Sequence, residues 1–553
     1  MRYVRTKYVL IFCGTLWVVF IANKHLSAST PSPIPVRQAD AACEGCHYEI
    51  FHKYLATPMA NASGVASDRA IPGSLNHLPS GVKYNIFSEN GSLWLSYDRE
   101  GNLPLHGSKE LDYFLGSGHL GVTYLYSING YLLESPVAYY ANRNEYDMKP
   151  GLASFQSMPP ALPVTSGCLR CHMSGVQQEE RGSKNRYQTL PFLHSGITCE
   201  RCHGDASKHV ASKGRAAIIN PVKLDPERRD SVCINCHLEG DTNVEHRGRS
   251  VLNYMPGDRI SDFISYFVYA NANISDRGVS EIEELSLSKC KRVSGDAMSC
   301  MSCHDPHYTP SKRERANFYR SKCLACHNQP RFLTTHYPNN QDCTSCHMPA
   351  GKAENIPHVA WTDHRIRQRP GLPGLPNTPS MNDDLVSFLQ NDPSARDLAL
   401  AYYNLGVDRN TATRNKTQRL LQSALQINSQ DTKLLSSLGY LAQLNGETDH
   451  AIELTQSALT IEPTNVEAIN NLAMLLAKSG QLAHAASLWR GAFALNEDNE
   501  QLGINLALAE CLLNRQNAAK QVLERVLIYS PDSQIGRRRL NTLQSKQTTC
   551  SAQ

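Results

Sequence analysis

The chain has 553 residues, 41% hydrophobic and 19% charged, a balance that exceeds one hydrophobic core and excludes wholesale disorder. Its formal charge of +4 is matched by Arg2, Arg5, Lys7 and Lys24 near the N-terminus. The remainder is close to neutral and has no basic or aromatic-basic run, which excludes nucleic acid as a partner.

Arg2, Arg5 and Lys7 precede the uncharged stretch Tyr8–Ala22, and small residues follow at Ser27–Ser29. Residues 1–28 therefore read as a signal peptide. An uncleaved N-terminal membrane anchor is the alternative, because Leu26 stands where cleavage prefers a small side chain. The fifteen residues of that stretch fall short of the roughly 17–25 of a membrane span. Either way the rest of the chain is exported, to a periplasmic location that is free or tethered to the inner membrane. Residues 29–40, "STPSPIPVRQAD", form a Pro/Ser linker.

Residues 41–368 form the next unit. Of the eighteen cysteines, fourteen fall in seven C-x-x-C-H motifs. The first three are Cys43/Cys46/His47, Cys168/Cys171/His172 and Cys199/Cys202/His203. The others are Cys233/Cys236/His237, Cys300/Cys303/His304, Cys323/Cys326/His327 and Cys343/Cys346/His347. Between the first two motifs, "VKYNIFSENGSLWLSY" and "VTYLYSINGYLLESPVAYY" set Asn-Gly between strand-like segments. These predict hairpins in a small β-rich insert at about 75–160.

C-x-x-C-H is the attachment signature of c-type haem: each sulfur adds to a vinyl group, and the adjacent histidine supplies the proximal imidazole. Zinc knuckles would want paired C-x-x-C units, and neither they nor a disulfide framework needs that histidine. The expected cofactor is seven covalently attached haems c. Their propionates would bring the oxidised protein to roughly −7, enough to steer it towards a basic partner. Aromatic residues are only 7%, so the porphyrins are expected to form the core between residues 43 and 347.

Whether a site carries electrons or does chemistry turns on its second axial position, filled by a protein ligand or open to substrate. Eleven histidines lie outside the motifs between residues 43 and 372. His209 follows His203 by six residues and His307 follows His304 by three. Neither short loop reaches round a porphyrin, so each is expected to ligate a neighbouring haem. His119, His336, His358 and His364 are further candidates, followed by His194. His52, His246, His77 and His106 read more readily as surface histidines. Met59 could serve the first haem or fill core. Cys290 and Cys511 are expected to be buried packing residues.

A Pro/Gly linker spans residues 369–392, and residues 393–545 turn Leu/Ala-rich with a 34-residue period. Leu438-Gly439, Leu472-Ala473 and Leu506-Ala507 align, as do Ala451, Ala485 and Ala519, and Ala458, Ala492 and Val526. An imperfect earlier copy lies around Leu405-Gly406 and Ala424. Period and packing positions resemble the tetratricopeptide repeat. Its exposed concave surface suits protein–protein docking; rigid architecture or self-association is the plainer use.

"HSGITCERCHGDASKHV", "MSCMSCHDPH" and "HVAWTDHRI" resemble segments of the multihaem cytochromes related to the nitrifiers' tetrahaem cytochrome and hydroxylamine oxidoreductase. The whole chain resembles bacterial multihaem cytochromes carrying a tetratricopeptide tail. That resemblance implies bis-histidine haems stacked in pairs, with His209 as a distal ligand and, by extension, His119, His307 and His364. Seven motifs match neither the carrier's four nor the enzyme's eight. The expected fold is a multihaem cytochrome c domain, mostly helix and loop around stacked haems, followed by an all-α repeat solenoid. The expected function is electron transfer with redox partner proteins. The alternatives are an oxidoreductase of a small nitrogen or sulfur compound at a five-coordinate haem, or a structural subunit of a conductive assembly.

Overall fold

The computed structural model describes residues 32–270, 279–329, 342–352, 360–367, 384–390, 392–406 and 411–545. The leader, His336, His358 and most of the expected 369–392 linker lie outside them. Among the described residues no helix is long and apolar enough to cross a membrane.

Nine strands occupy the stretch between the first two motifs: β1 Ser63–Val65, β2 Gly73–His77, β3 Val82–Glu89, β4 Ser92–Arg99, β5 Leu105–Leu111, β6 Tyr113–Leu115, β7 Gly121–Ile128, β8 Tyr131–Tyr140 and β9 Glu145–Met148. Strands β2 to β5 form an antiparallel meander, while β1-β6-β7-β8-β9 form a five-stranded sheet. Asn90-Gly91 and Asn129-Gly130 turn β3 into β4 and β7 into β8 with positive φ at both residues, the conformation a two-residue hairpin needs. Inward side chains alternate along β4, and Tyr84, Ile86, Leu93, Leu95, Tyr124 and Tyr131 are 1% exposed or less.

The expected small insert is thus a two-sheet body that begins at Ser63 rather than near residue 75. Its core is protein, not porphyrin, because tyrosines at alternate strand positions supply the apolar mass. Matters differ downstream: among the described residues, no hydrophobic side chain between Phe267 and Leu385 is buried.

Shorter sheets tie the remaining motifs together. Strands β10 Met173–Val176 and β11 Phe192–Ser195 pair, as do β12 Thr242–Glu245 and β13 Ile264–Tyr269. Strands β14 Ala350–Lys352 and β15 Ala360–Thr362 also pair, and β16 Leu385–Ser387 extends the β12-β13 sheet. The end of the expected linker is therefore an edge strand.

Beyond it, four helix pairs and a closing helix run from Ala395 to Gln544. Asp431, Asn465, Asn499 and Ser533 cap the helices that open successive repeats, 34 residues apart, each accepting backbone N–H groups. Ala451, Ala485 and Ala519 are fully buried where paired helices touch.

The loops just before these caps lie against the rest of the molecule. Arg396 bonds Asp431 and the Glu245 carbonyl. Asn496 donates to the Gly182 carbonyl, and Asn185 donates to Asp498. Asp532 accepts from Arg99 and from the Met158 N–H, and Tyr529 enters the β-sheet core. One edge of the solenoid is thereby fixed. The turns within pairs, at Gly446, Gly480 and Asn514, are exposed.

Candidate functional site

Each C-x-x-C-H motif sits on a turn of helix, the local structure that sets two cysteines three apart on one side. The His203, His304 and His327 N–H groups donate to the carbonyls of Cys199, Cys300 and Cys323, each at 2.9 Å. Cys343–His347 is one short helix capped by Asp342. All fourteen motif cysteines are free of disulfides.

The motifs converge in pairs. Cys43 lies against Cys199, Cys171 against Cys236, Cys233 against Cys300 and Cys323 against Cys343. Attachment points far apart in sequence therefore adjoin. Arg170 links two of them, donating to the backbone and side chain of Asn235 while its own carbonyl accepts from Arg201.

Six motif cysteines, Cys46, Cys168, Cys202, Cys303, Cys326 and Cys346, take no part in these four contacts. Cys46 and Cys326 are exposed, and Cys346 is half-buried like most of the motif cysteines. In these three motifs it is the first cysteine, Cys43, Cys323 or Cys343, that meets a neighbouring motif. Cys346 accepts only from the adjacent Ser345 hydroxyl, at 3.9 Å. Cys326 lies near Cys303, whose thiol is pushed up by burial and then by Cys290, Cys300 and Cys326. Cys168 is also exposed, 3.5 Å from the Thr165 hydroxyl, whereas burial raises the Cys202 thiol.

Among the described residues, three pairs of imidazoles face one another. His47 and His209 have ring centroids 6.3 Å apart and planes 16° from parallel. His203 and His307 lie at 6.0 Å and 10°, and His304 and His364 at 6.3 Å and 28°. A metal–nitrogen bond of about 2.0 Å, plus about 1.1 Å from that nitrogen to the ring centre, puts two axial imidazoles about 6.2 Å apart. The residues present fit a haem iron between the rings of each pair.

Protonation agrees with that fit. Nδ1 of His203, His209, His347 and His364 bonds the carbonyls of Ile219, Ala216, Arg367 and Thr362 at 2.6–2.8 Å. A carbonyl only accepts, so Nδ1 carries the proton and Nε2 keeps its lone pair for a metal. Burial, with His364 and His237 nearby, pushes His304 down to about 4. Burial and His203 lower His307, and burial lowers His172, all favouring the neutral, ligating form.

Other candidates lie elsewhere. His119 is exposed in the β6–β7 turn, and among the described residues no imidazole faces it. His194 lies in β11 with its Nδ1 buried. His52 bonds Glu44, His246 bonds Ser265, and His77 bonds Ser80 and the Ala153 carbonyl. His106 is exposed beside Asp98 and Glu100. Met59 packs with Val36, Tyr54 and Ala60, and His209 takes the place opposite His47. Cys511 is buried, as expected of a packing residue, and is disulfide-bonded as well. The helical pattern around it gave no hint of that. The orienting carbonyls and the carboxylates of Glu284 and Asp363 also escaped sequence reading, since neither forms part of a motif.

A family model described as "Cytochrome c554 and c-prime" matches residues 142–204, which hold the second and third motifs. The multiheme cytochrome MtrA of Shewanella baltica (strain OS185) is 22% identical over 211 residues, 36% of this chain and 56% of that protein. The chain thus spans a little over half the length of that relative.

The chain is a multihaem cytochrome with a tetratricopeptide-like region.

Solved structures similar to the cytochrome's repeat region include MamA, at 17% identity and TM-score 0.24 over 25% of this chain and 80% of that one. YrrB, a TPR protein with an unusual peptide-binding site, is 15% identical at TM-score 0.24, over 27% and 77%. The repeat assignment rests on the 34-residue period and the helix pairing rather than on these scores.

Proposed function

We propose that the cytochrome holds seven haems c and passes electrons along them, with the repeats as a docking scaffold. The carrying observation is the set of three facing imidazole pairs. Bound haem supplies reversible one-electron chemistry at iron, and a site with both axial positions filled by histidine has no open position for substrate.

The chain's own residues do the rest. The fourteen cysteines anchor the groups, and His47, His172, His203, His237, His304, His327 and His347 supply proximal nitrogens. His209, His307 and His364 supply distal ones opposite His47, His203 and His304. The Nδ1–H bonds to backbone carbonyls hold the rings of His203, His209, His347 and His364 in one orientation and raise their basicity. Adjoining sulfurs bring attachment sites into neighbouring pairs, which favours electron movement between groups over reaction at one. His119, His336 and His358 remain distal candidates for other sites.

The leader-like N-terminus, the haem c motifs and the Cys511 disulfide support an exported, periplasmic location. With one repeat edge bound to the cytochrome body, the exposed turns at Gly446, Gly480 and Asn514 mark the side offered to a redox partner. Kinship with the hydroxylamine oxidoreductase branch is an extension of the match at residues 142–204.

Pyridine haemochrome assay of the matured protein should return seven haems, and electron paramagnetic resonance of the ferric state should be dominated by low-spin signals. A high-spin signal that shifts on adding nitrite, hydroxylamine or sulfite would replace the carrier reading with the oxidoreductase one. Far fewer than seven equivalents would remove both.

A further inference from the structure

We infer that Asp363 and Glu284 are positioning residues, which jointly fix the ligand geometry of two haem sites through the single segment Asp363–Arg367. The inference rests on the ligand reading of His364 and His347 above.

Strands β14 and β15 fold residues 360–367 back onto the seventh motif, pairing Ala350 with Thr362. That segment then serves two sites at once. His364 faces His304, and three residues later the Arg367 carbonyl accepts the Nδ1–H of His347 at 2.6 Å. The Arg367 N–H in turn donates to the His347 carbonyl at 3.0 Å, so the proximal histidine of the last motif is held from both sides by one residue.

Asp363 locks this geometry. It is 2% exposed, and its Oδ1 accepts from Arg365 N–H at 2.9 Å and Arg365 Nε at 2.7 Å. Its Oδ2 accepts from Arg367 Nε at 2.7 Å. One buried carboxylate thereby fixes the residues on either side of Ile366, whose φ of 45° lies in the left-handed region that a β-branched residue rarely enters. Such a conformation persists only where its surroundings over-determine it.

Glu284 fixes the other end. It is fully buried on the helix Glu281–Leu287, with Oε2 accepting the His364 N–H at 2.8 Å and Oε1 3.7 Å from Arg365 Nη2. Pinning the backbone nitrogen of His364, while its Nδ1 is held by the Thr362 carbonyl, leaves the ring little freedom to rotate. Outer partners of this kind set ring orientation and ligand basicity. The two sites therefore share one support.

The test uses the full-length, haem-loaded protein and low-temperature electron paramagnetic resonance, with haem content as a control. His364→Ala identifies the signal of the His304 site by its loss from the low-spin set. Asp363→Asn, which cannot accept from both arginines, is expected to shift that signal and one further low-spin signal. Glu284→Gln is expected to shift only the former, and Arg367→Gln only the latter, with seven haems retained throughout. The proposal is overturned if Asp363→Asn keeps its haems and moves neither signal, or only one. If that variant does not mature, the two single-arm variants decide: separate shifts support the proposal, unchanged spectra overturn it. A full low-spin count in His364→Ala would remove the ligand assignment and the proposal with it, whereas the other failures leave that assignment standing.

Discussion

Replacing Asp532 by alanine tests whether the repeats are fixed to the cytochrome body through Arg99. The arginine donates to both carboxylate oxygens, at 2.8 and 2.6 Å, and the side chains are 12% and 1% exposed. The same carboxylate accepts the Met158 N–H at 2.8 Å. Removing one partner of a buried pair costs about 3–5 kcal/mol, because a charge stays behind uncompensated. Arg99 keeps its bonds to the carbonyls of Leu103 and Ser80. The cost therefore falls at the lower end, about 3 kcal/mol, or roughly a hundredfold in the local opening equilibrium. A single melting temperature is a poor readout for so many packed units. Amide hydrogen exchange at Met158 and across residues 526–537 reads the opening directly, and should accelerate by that factor. Changing the pair to Arg99→Met with Asp532→Leu should restore most of the protection across residues 526–537, since apolar side chains of similar volume replace a buried ion pair at little net cost, while Met158, whose N–H loses its acceptor, should stay open. Unchanged exchange in Asp532→Ala, or a double variant as open as the single one, would refute the reasoning.

Three further outcomes follow from other parts of the molecule. His209→Ala should convert one low-spin ferric haem to high-spin while the haemochrome count stays constant; a loss of haem instead would give His209 a structural role. Ala485→Leu forces a branched side chain into a fully buried helix–helix contact, and should destabilise the repeats by about 1–3 kcal/mol in urea unfolding. Burial raises Asp498 above the usual carboxylate range, with the Asn185 bond opposing. The stability contributed by its protonated form is full at acid pH and lost as pH rises through the folded value. Asp498→Asn should therefore stabilise the protein at neutral pH, and that gain should vanish on acidification.

Local signals were legible in the sequence, and long-range ones were not. Asn90-Gly91 and Asn129-Gly130 announce hairpins because few other residues adopt positive φ twice in succession. The three-residue strands Ser63–Val65 and Tyr113–Leu115 offer too few positions to show an alternation, so the sheet's extent was missed. The repeats could be read from their period, but their attachment could not. Arg99 and Asp532 are 433 residues apart, and nothing local marks either as buried. The haem sites divide in the same way. Short loops imply that His209 and His307 look towards other motifs; that their partners are His47 and His203 depends on how motifs pack. The spacing of a motif likewise treats its two cysteines alike, and only packing separates Cys43, set against Cys199, from the exposed Cys46. Glu284 and Asp363 look like ordinary surface acids until the backbone places an imidazole-bearing segment between them.

The distribution of buried side chains makes one more demand. Between Phe267 and Leu385 the buried described residues are Ser280, Glu283, Glu284, Ser288, Ser299 and Asp363, all polar. Their apolar neighbours stay in view of solvent, Leu287 at 48% exposure and Val293 at 77%, and the helix Arg315–Leu324 buries nothing. A segment that buries so little of its own apolar surface cannot offset the entropy of ordering, about 1–2 kcal/mol per residue for the backbone alone. On the proposed function, covalently held haem would be the apolar mass that the three motifs in this segment receive. Protein expressed without haem maturation should therefore exchange amide hydrogens at near-random-coil rates across residues 289–329, while Tyr84, Leu95 and Tyr124 of the β-sheets stay protected by their own core. The repeats should stay protected as well, because Trp489, Phe493 and Leu506 pack against one another without any cofactor. Slow exchange across residues 289–329 in haem-free protein would show that the segment folds by itself, and that its cysteines and histidines are a preformed site rather than one completed by its occupant.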